Sequence, residues 1–448
     1  MKLHFIAIGG SAMHNLAIAL HEAGNEVTGS DDEIFEPSHT RLANLGLLPE
    51  KEGWFPEKIH TGLDAVVLGM HAKNDNPELL KAKELDVKIY SYPEYLYEHA
   101  KDKTRIVIGG SHGKTTITAM VMHVLKHSGC NFDYMVGAQL KGFDTMVRLT
   151  DDAPIMILEG DEYLTSPIDL RPKFHLYKPH ISILTGIAWD HINVFPTFQI
   201  YLDQFRKFIN LTEENGTVIY FHEDENLLKL ADEARNDIRT IAYHALPFRV
   251  INGVTYVMGT GVDFNVPLQI IGKHNLQNIA GALEVCRQLD IPEADFFIHI
   301  QTFEGAAKRL EPLRIEGTYS VFKDFAHAPS KVKATVDSLK EHFADRKLIA
   351  CFELHTYSSL NKEFLEQYHG AMDKADEAIV YFSNHALELK RLDKLSIDDV
   401  KEAFKRPDLE VYNNSAELYT RLKNISHQNT CLLLMSSGNF DGLDLLSL

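Results

Sequence analysis

Residues Ile106–Leu125 read IVIGGSHGKTTITAMVMHVL. Ile106–Ile108 is an apolar, strand-like run, Gly109-Gly110 is a turn, and Gly113-Lys114-Thr115-Thr116 opens a helical segment. Strand, glycine turn and helix N-terminus together make a phosphate cradle. Glycines let backbone N–H groups turn inward, and the helix end adds positive potential. In such a loop a lysine reaches the β- and γ-phosphates and a hydroxyl holds Mg²⁺. Gly110, Ser111, His112, Gly113, Lys114, Thr115 and Thr116 are therefore the candidate ATP-binding residues, with Lys114 catalytic and Thr115 or Thr116 on the metal. The spacing departs from G-x-x-x-x-G-K-[ST], because Ile108 stands where the first glycine would be.

A phosphate loop of this kind needs an acidic strand beside it. PIMILEGDEY (Pro154–Tyr163) supplies one, with Glu159, Asp161 and Glu162 at its end, and Glu159 is the expected Mg²⁺ ligand. HISILTGIAWDH closes on Asp190-His191, which places His191 at the same sheet edge as a second metal ligand or phosphate contact.

Residues before the loop form another unit. LHFIAI is strand-like and GGSAMHNLAIALHEAG is helical. The turn Gly9-Gly10-Ser11 lacks the last glycine of G-x-G-x-x-G, and Asp31 follows about twenty residues on, where an acidic group binds a ribose. By itself this permits NAD, a nucleotide sugar or another diphosphate. Strand and helix signals alternate along the chain, which predicts an α/β protein with largely parallel sheets. The exception is about residues 239–271, where short strand-like pieces predict an antiparallel insertion or flanking sheet. The expected domains are 1–103, 104–312 and 313–448, Rossmann-like, P-loop ATPase-like and Rossmann-like in turn, with hinges near residues 103 and 313.

The 448 residues exceed what one core holds. A formal charge of −18 argues against nucleic-acid binding, which rests on a basic footprint. No apolar run is long enough to span a membrane, and MKLHFIAIGG has no signal-peptide pattern, so a cytoplasmic location is expected. Four dispersed cysteines, Cys130, Cys286, Cys351 and Cys431, fit free thiols in a reducing compartment.

The motifs taken together resemble the Mur ligase family, ATP-dependent amide-forming enzymes of peptidoglycan synthesis. GSHGKTT is similar to the family's G-T-x-G-K-T-T, LEGDEY to E-x-D-E, Asp190-His191 to D-H, GKHNLQNIAGAL to G-x-H-N-x-x-N-x-x-A-A, Lys308-Arg309 to the segment after F-x-G, and Asp324–His327 to D-[YF]-[AG]-H. The resemblance covers essentially the whole chain. It implies that Lys114, Thr115, Glu159 and His191 serve ATP and metal, that His274, Asn275 and Asn278 form the adenine side, and that Arg309, Asp324 and His327 reach the nucleotide from the third domain. It implies a UDP-sugar on Gly9, Gly10, Ser11, Ser30, Asp31 and His71, and an amino acceptor on His355 and Ser358.

Two branches of the family share this kind of first domain, and both act on UDP-N-acetylmuramate. One adds L-alanine; the other adds the murein tripeptide L-Ala-γ-D-Glu-meso-diaminopimelate in recycling. GNEVTGSDDEIFEPSHTRLANLGL resembles the second, and FELHTYSSLN lacks the arginines of the alanine branch's P-H-R-[YF]-[ST]-R, having Thr356 and Ser359 there. The tripeptide is thus the expected acceptor, through an acyl phosphate, in a monomer or weak dimer. Ala188 stands where the family often carries a carboxylate before D-H. The rivals are the alanine reaction, an NAD oxidoreductase suggested by the first unit alone, and a nucleotide-binding module without ligase activity.

Overall fold

The computed structural model describes residues 1–190, 192–251, 254–258, 265–305, 309–390 and 392–448. The first sheet is parallel, in the order β2 (Glu26–Ser30), β1 (Lys2–Ile6), β3 (Ala65–Leu68), β4 (Ile89–Ser91). Ile6 pairs with both Ser30 and Leu68, so residues 7–11, 31 and 69–71 emerge at one edge. The strand stops two residues short of the apolar run LHFIAI, because Ala7 takes φ +68° and turns the chain into the helix Ser11–Glu22.

The second sheet has seven strands. Its order is β13 (Arg239–Tyr243), β12 (Thr217–Phe221), β11 (Ile181–Leu184), β5 (Thr104–Gly109), β8 (Ile155–Glu159), β6 (Phe132–Met135), β7 (Val147–Arg148), with only the β6–β7 pair antiparallel. The phosphate-loop strand β5 sits in the middle, with β8 and β11 on either side. A short hairpin, β9 (Leu164–Ser166) with β10 (Asp169–Pro172), follows the acidic segment. The expected antiparallel insertion is smaller than its sequence span. Arg239–Tyr243 joins the main sheet in parallel, and only β14 (Phe248–Ile251), β15 (Val254–Met258) and β16 (Asn265–Leu268) form the antiparallel sheet.

The last sheet runs β17 (Glu311–Glu316), β18 (Tyr319–Asp324), β22 (Thr430–Met435), β19 (Lys347–Leu354), β20 (Glu377–Phe382), β21 (Glu410–Tyr412), parallel except for β17. In β19, Leu348, Ala350, Phe352 and Leu354 enter one core, and Ile349 and Cys351 enter the other. Burial on both faces explains its continuous apolar run, each large side chain contributing about 1.5–3 kcal/mol.

These α/β domains pack as two compact units, 1–187 with 202–243 and 281–293, and 188–201 with 244–280 and 294–448. The junction near residue 103 is fastened, contrary to the expected hinge. Lys103 Nζ lies 2.6 Å from Asp133 Oδ2, and the Arg105 guanidinium, 2% exposed, donates to the carbonyls of Ala100, Lys101, Tyr177 and Lys178 and to Glu213 at 2.6 Å. Breaking a buried, fully hydrogen-bonded charge is costly, so these contacts tie the linker to the second sheet. Among the described residues no helix is long and apolar enough to cross a membrane.

Candidate nucleotide and substrate sites

The phosphate loop is shaped by two glycines. Gly110 has φ +119°, and a Cβ there would overlap Thr185 Oγ1 and stand 2.7 Å from the Thr185 amide. Gly113, at φ +71°, precedes the helix Lys114–His127. Ser111 N–H donates to the Gly186 carbonyl, and the Thr185 hydroxyl donates to the His112 carbonyl. Thr185 was not singled out from the sequence; it lies just past a neighbouring strand and touches the loop only through sheet pairing.

Lys114 Nζ donates to Gly110 O at 2.8 Å and to Glu162 Oε2 at 2.5 Å. Burial works to lower its pKa, but Glu162, Asp161 and Glu159 outweigh that and hold the ammonium above its ordinary range. Thr115 Oγ1 donates to Glu159 Oε1 at 2.7 Å, and the Gly137 amide donates to Oε2 at 2.6 Å. Thr116 is buried on the same helix turn. The register explains the meeting: Ile108 pairs with Glu159, which brings the acidic strand end beside the loop. A hydroxyl and a carboxylate are hard oxygen donors of the kind Mg²⁺ takes, and a lysine at a helix N-terminus suits phosphate, so these residues fit MgATP. Glu162 belonged to the acidic cluster read from sequence, but its role as the Lys114 counter-ion depends on the chain path after Gly160.

At the first sheet's edge, the Gly9 amide donates to Asp31 Oδ2 at 2.7 Å, and Asp31 Oδ1 accepts from the Asp32 amide at 2.9 Å. Burial is the largest influence on Asp31 and, with Asp32 nearby, raises its pKa to about 6. Ser30 is fully buried, its carbonyl accepting from Ala7 and Ile8, while Ser11 and His71 are exposed at the same edge and Gly10 precedes the helix. The structure thus gathers Gly9, Gly10, Ser11, Asp31 and His71. It makes Asp31 the support of the glycine turn and puts Ser30 beneath it.

The second unit holds the remaining candidates. The strand HISILTGIAWDH ends at Leu184, so Asp190 does not close a strand as expected; it lies outside any helix or strand, 3.7 Å from His327 Nε2 and 3.9 Å from Lys331 Nζ. His191 lies outside the described residues. Asp324 is buried and accepts from the Leu310 and Ala326 amides, each at 2.7 Å, which makes it the organiser of this loop. The Arg309 guanidinium stacks 4.8 Å from the Phe325 ring centre. His327 Nδ1 faces the Phe325 carbonyl at 2.8 Å; burial and Lys331 lower its pKa against the pull of Asp190. His274 Nδ1 pairs with Ser338 Oγ at 2.9 Å and is lowered by burial. Asn278 donates to Asn275 Oδ1 at 3.2 Å, and Asn275 to the Ile271 carbonyl at 2.7 Å.

At the end of β19, Glu353 is buried and accepts from the Ser436 hydroxyl and from the Phe440 amide at 2.8 Å, and burial raises its pKa. His355 stands 3.8 Å away, packed on Gly438, where a Cβ would meet its ring at 2.6 Å. Ser358 is buried; Thr356 Oγ1 accepts from the Ser359 amide at 3.0 Å and its hydroxyl meets Ser359 Oγ at 3.0 Å. Lys390, half-buried, has its pKa lowered by desolvation. Neither it nor Glu353 was picked out from the sequence, because nothing local marks either as facing this edge.

The Mur ligase family catalytic domain matches residues 2–104, the Mur ligase middle domain 108–286, and the Mur ligase glutamate ligase domain 308–438. A UDP-N-acetylmuramate–L-alanine ligase of Sulfurihydrogenibium sp. is 30% identical over 455 residues, covering 99% of this chain and 96% of its own. A UDP-N-acetylmuramate-alanine ligase of Thermotoga maritima superposes with TM-score 0.73 at 23% identity, covering 99% of this chain and 97% of that one. A murein peptide ligase of Psychrobacter arcticus superposes at 0.69 and 22% identity with the same coverage. With its domains matched in order and a relative aligned nearly end to end, the chain belongs to the Mur ligase family of ATP-dependent amide ligases.

Proposed function

We propose that this ligase joins the lactyl carboxylate of UDP-N-acetylmuramate to the murein tripeptide L-Ala-γ-D-Glu-meso-diaminopimelate. A carboxylate is a poor acylating agent, and MgATP supplies the phosphoryl group that converts it to an acyl phosphate. The protein's part is charge neutralisation and positioning. Lys114 presents its ammonium at the loop, Thr115 and Glu159 present the oxygen donors that would hold Mg²⁺, and the N-terminus of the helix Lys114–His127 would add positive potential for the phosphates. Gly9 and Gly10, held by Asp31, form the turn that would receive the UDP diphosphate.

The observation that carries the tripeptide is the segment His355–Ser359. Where the alanine branch places arginines, Thr356 and Ser359 close on each other in a hydroxyl turn. Lys390 and His355 remain near Glu353 as groups suited to the carboxylates of a peptide. L-Alanine is the second reading, and the name of the 30% identical relative favours it.

The test is product mass with MgATP and UDP-N-acetylmuramate, offering tripeptide and L-alanine in parallel. A UDP-muramoyl tripeptide with little alanine product supports the first reading. Alanine product alone overturns it in favour of the second. Nucleotide binding without either product overturns both and points to Ala188.

A further inference from the structure

The second sheet has a cleft of about 780 Å³ at the edge away from the phosphate loop. Its position follows from strand direction. β5 and β11 are parallel and end at Gly109 and Leu184, beside the loop. The cleft is lined by Lys178, just before β11, and by Asn210 and Leu211, which precede β12. Strands of this length separate the two edges by on the order of 15 Å.

The charge of the cleft opposes that of the chain. Lys88, Arg171, Lys178, Arg206 and Lys207 line it against the carboxylates of Glu94 and Glu98, in a protein whose net charge is −18. The two arginines are already held: Arg171 by Asp169 at 2.6 Å and Glu94 at 3.8 Å, and Arg206 by Glu233 at 2.8 Å. The three lysines form no ion pair among the described residues. Lys88 stands 4.4 Å from the Tyr90 ring centre and Lys178 stands 5.2 Å from that of Tyr97, so aromatic faces orient the ammonium groups without neutralising them. The volume lies in the range of small-ligand sites.

We propose that this cleft binds a small multivalent oxyanion, a phosphorylated or polycarboxylated metabolite, at a site separate from the phosphate loop. One wall comes from β4 and the helix Tyr92–Ala100, the other from residues 171–178 and the end of the helix Phe198–Asn210, so an occupant bridges the first and second sheets. His175 reports on the local field. Burial, then Lys207 and Arg171, push its pKa down to about 4, and a bound anion would raise it. The inference does not rest on the choice of acceptor.

Isothermal titration of the full chain at fixed ionic strength tests it, with inorganic pyrophosphate and citrate as separate probes. The proteins are wild type, Lys114→Ala, Lys114→Ala with Lys178→Glu and Lys207→Glu, and a charge-matched control, Lys114→Ala with Lys229→Glu and Lys401→Glu. The expected result is binding retained in Lys114→Ala, weakened at least tenfold by the cleft pair and unchanged in the control. Binding of both probes supports a general oxyanion site, and pyrophosphate alone supports a phosphoryl-selective one. Loss of all binding in Lys114→Ala would assign the anion to the phosphate loop and overturn the proposal. Equal weakening in the control would reduce it to bulk charge and overturn it too. Titration of the His175 ring by NMR gives an independent reading, with a higher pKa expected in pyrophosphate.

Discussion

The ammonium of Lys114 lies 2.5 Å from the carboxylate of Glu162, with the two side chains 13% and 1% exposed. An internal carboxylate thus balances the charge proposed to serve the ATP phosphates. Glu162→Gln leaves a buried cation short of its partner, and breaking such a pair typically costs about 3–5 kcal/mol. The variant should melt several degrees below wild type. Because phosphate then supplies the missing charge, ADP should raise its melting temperature by more than it raises that of wild type. An ADP-induced shift no larger than wild type's would refute the coupling.

Glu159 joins Thr115 Oγ1 to the Gly137 amide. Glu159→Ala removes the carboxylate from the proposed metal site and leaves two donors unanswered. The Mg²⁺ concentration needed for half-maximal ADP binding should rise at least tenfold, while Mg²⁺-free binding changes little. An unaltered Mg²⁺ midpoint, read by fluorescent-ADP titration, would remove Glu159 from the metal site.

Gly110→Ala meets backbone as well as side chain, with Thr185 N at 2.7 Å and φ at +119°. Gly24, at φ +83°, has open space around its Cβ position. Gly24→Ala should therefore cost only the backbone strain, about 1 kcal/mol. Gly110→Ala should cost clearly more and should abolish ADP binding. Similar melting curves for the two variants would show that the loop yields freely.

Asp31 sets a pH dependence of defined sign. Its folded pKa, about 6, lies above the ordinary 3.8, so between these values the folded state binds more protons than the unfolded. Its contribution to stability falls as pH rises from 3.8 to 6. Glu78 acts oppositely: burial raises its pKa, but hydrogen bonds from His4, the Phe55 amide and Ser30 prevail, and the net value lies below 4.5. Its contribution is present above 4.5 and is lost as pH falls through the folded value. Across pH 4.5–6, the denaturant midpoint of wild type should fall relative to that of Asp31→Asn as pH rises, whereas its difference from Glu78→Gln should stay nearly level. An identical slope in wild type and Asp31→Asn would rule out the assignment.

Much of the α/β architecture was legible because period and punctuation are local. The apolar run Ile106–Ile108, the glycines after it and the lysine at the helix start specify strand, turn and cradle within a few residues. The boundary errors have equally local causes. Ala7 at φ +68° ends a strand that apolar composition would extend, and Leu184 ends another before Gly186 at φ +146°. Arg239–Tyr243 was misassigned to the insertion because strand pattern does not reveal the partner strand.

The sequence by itself determined the phosphate loop, the acidic strand and the order of the Mur ligase motifs, since these follow from backbone freedom, residue type and spacing. Only tertiary structure decided which groups those residues meet. Glu162 pairs with Lys114, Asp31 supports the Gly9 turn, Asp324 spends its oxygens on the Leu310 and Ala326 amides, and Arg105 fastens a linker expected to hinge. Each pairing depends on strand order and on burial, which makes an unmatched charge or amide costly, and neither is written in the spacing of the chain.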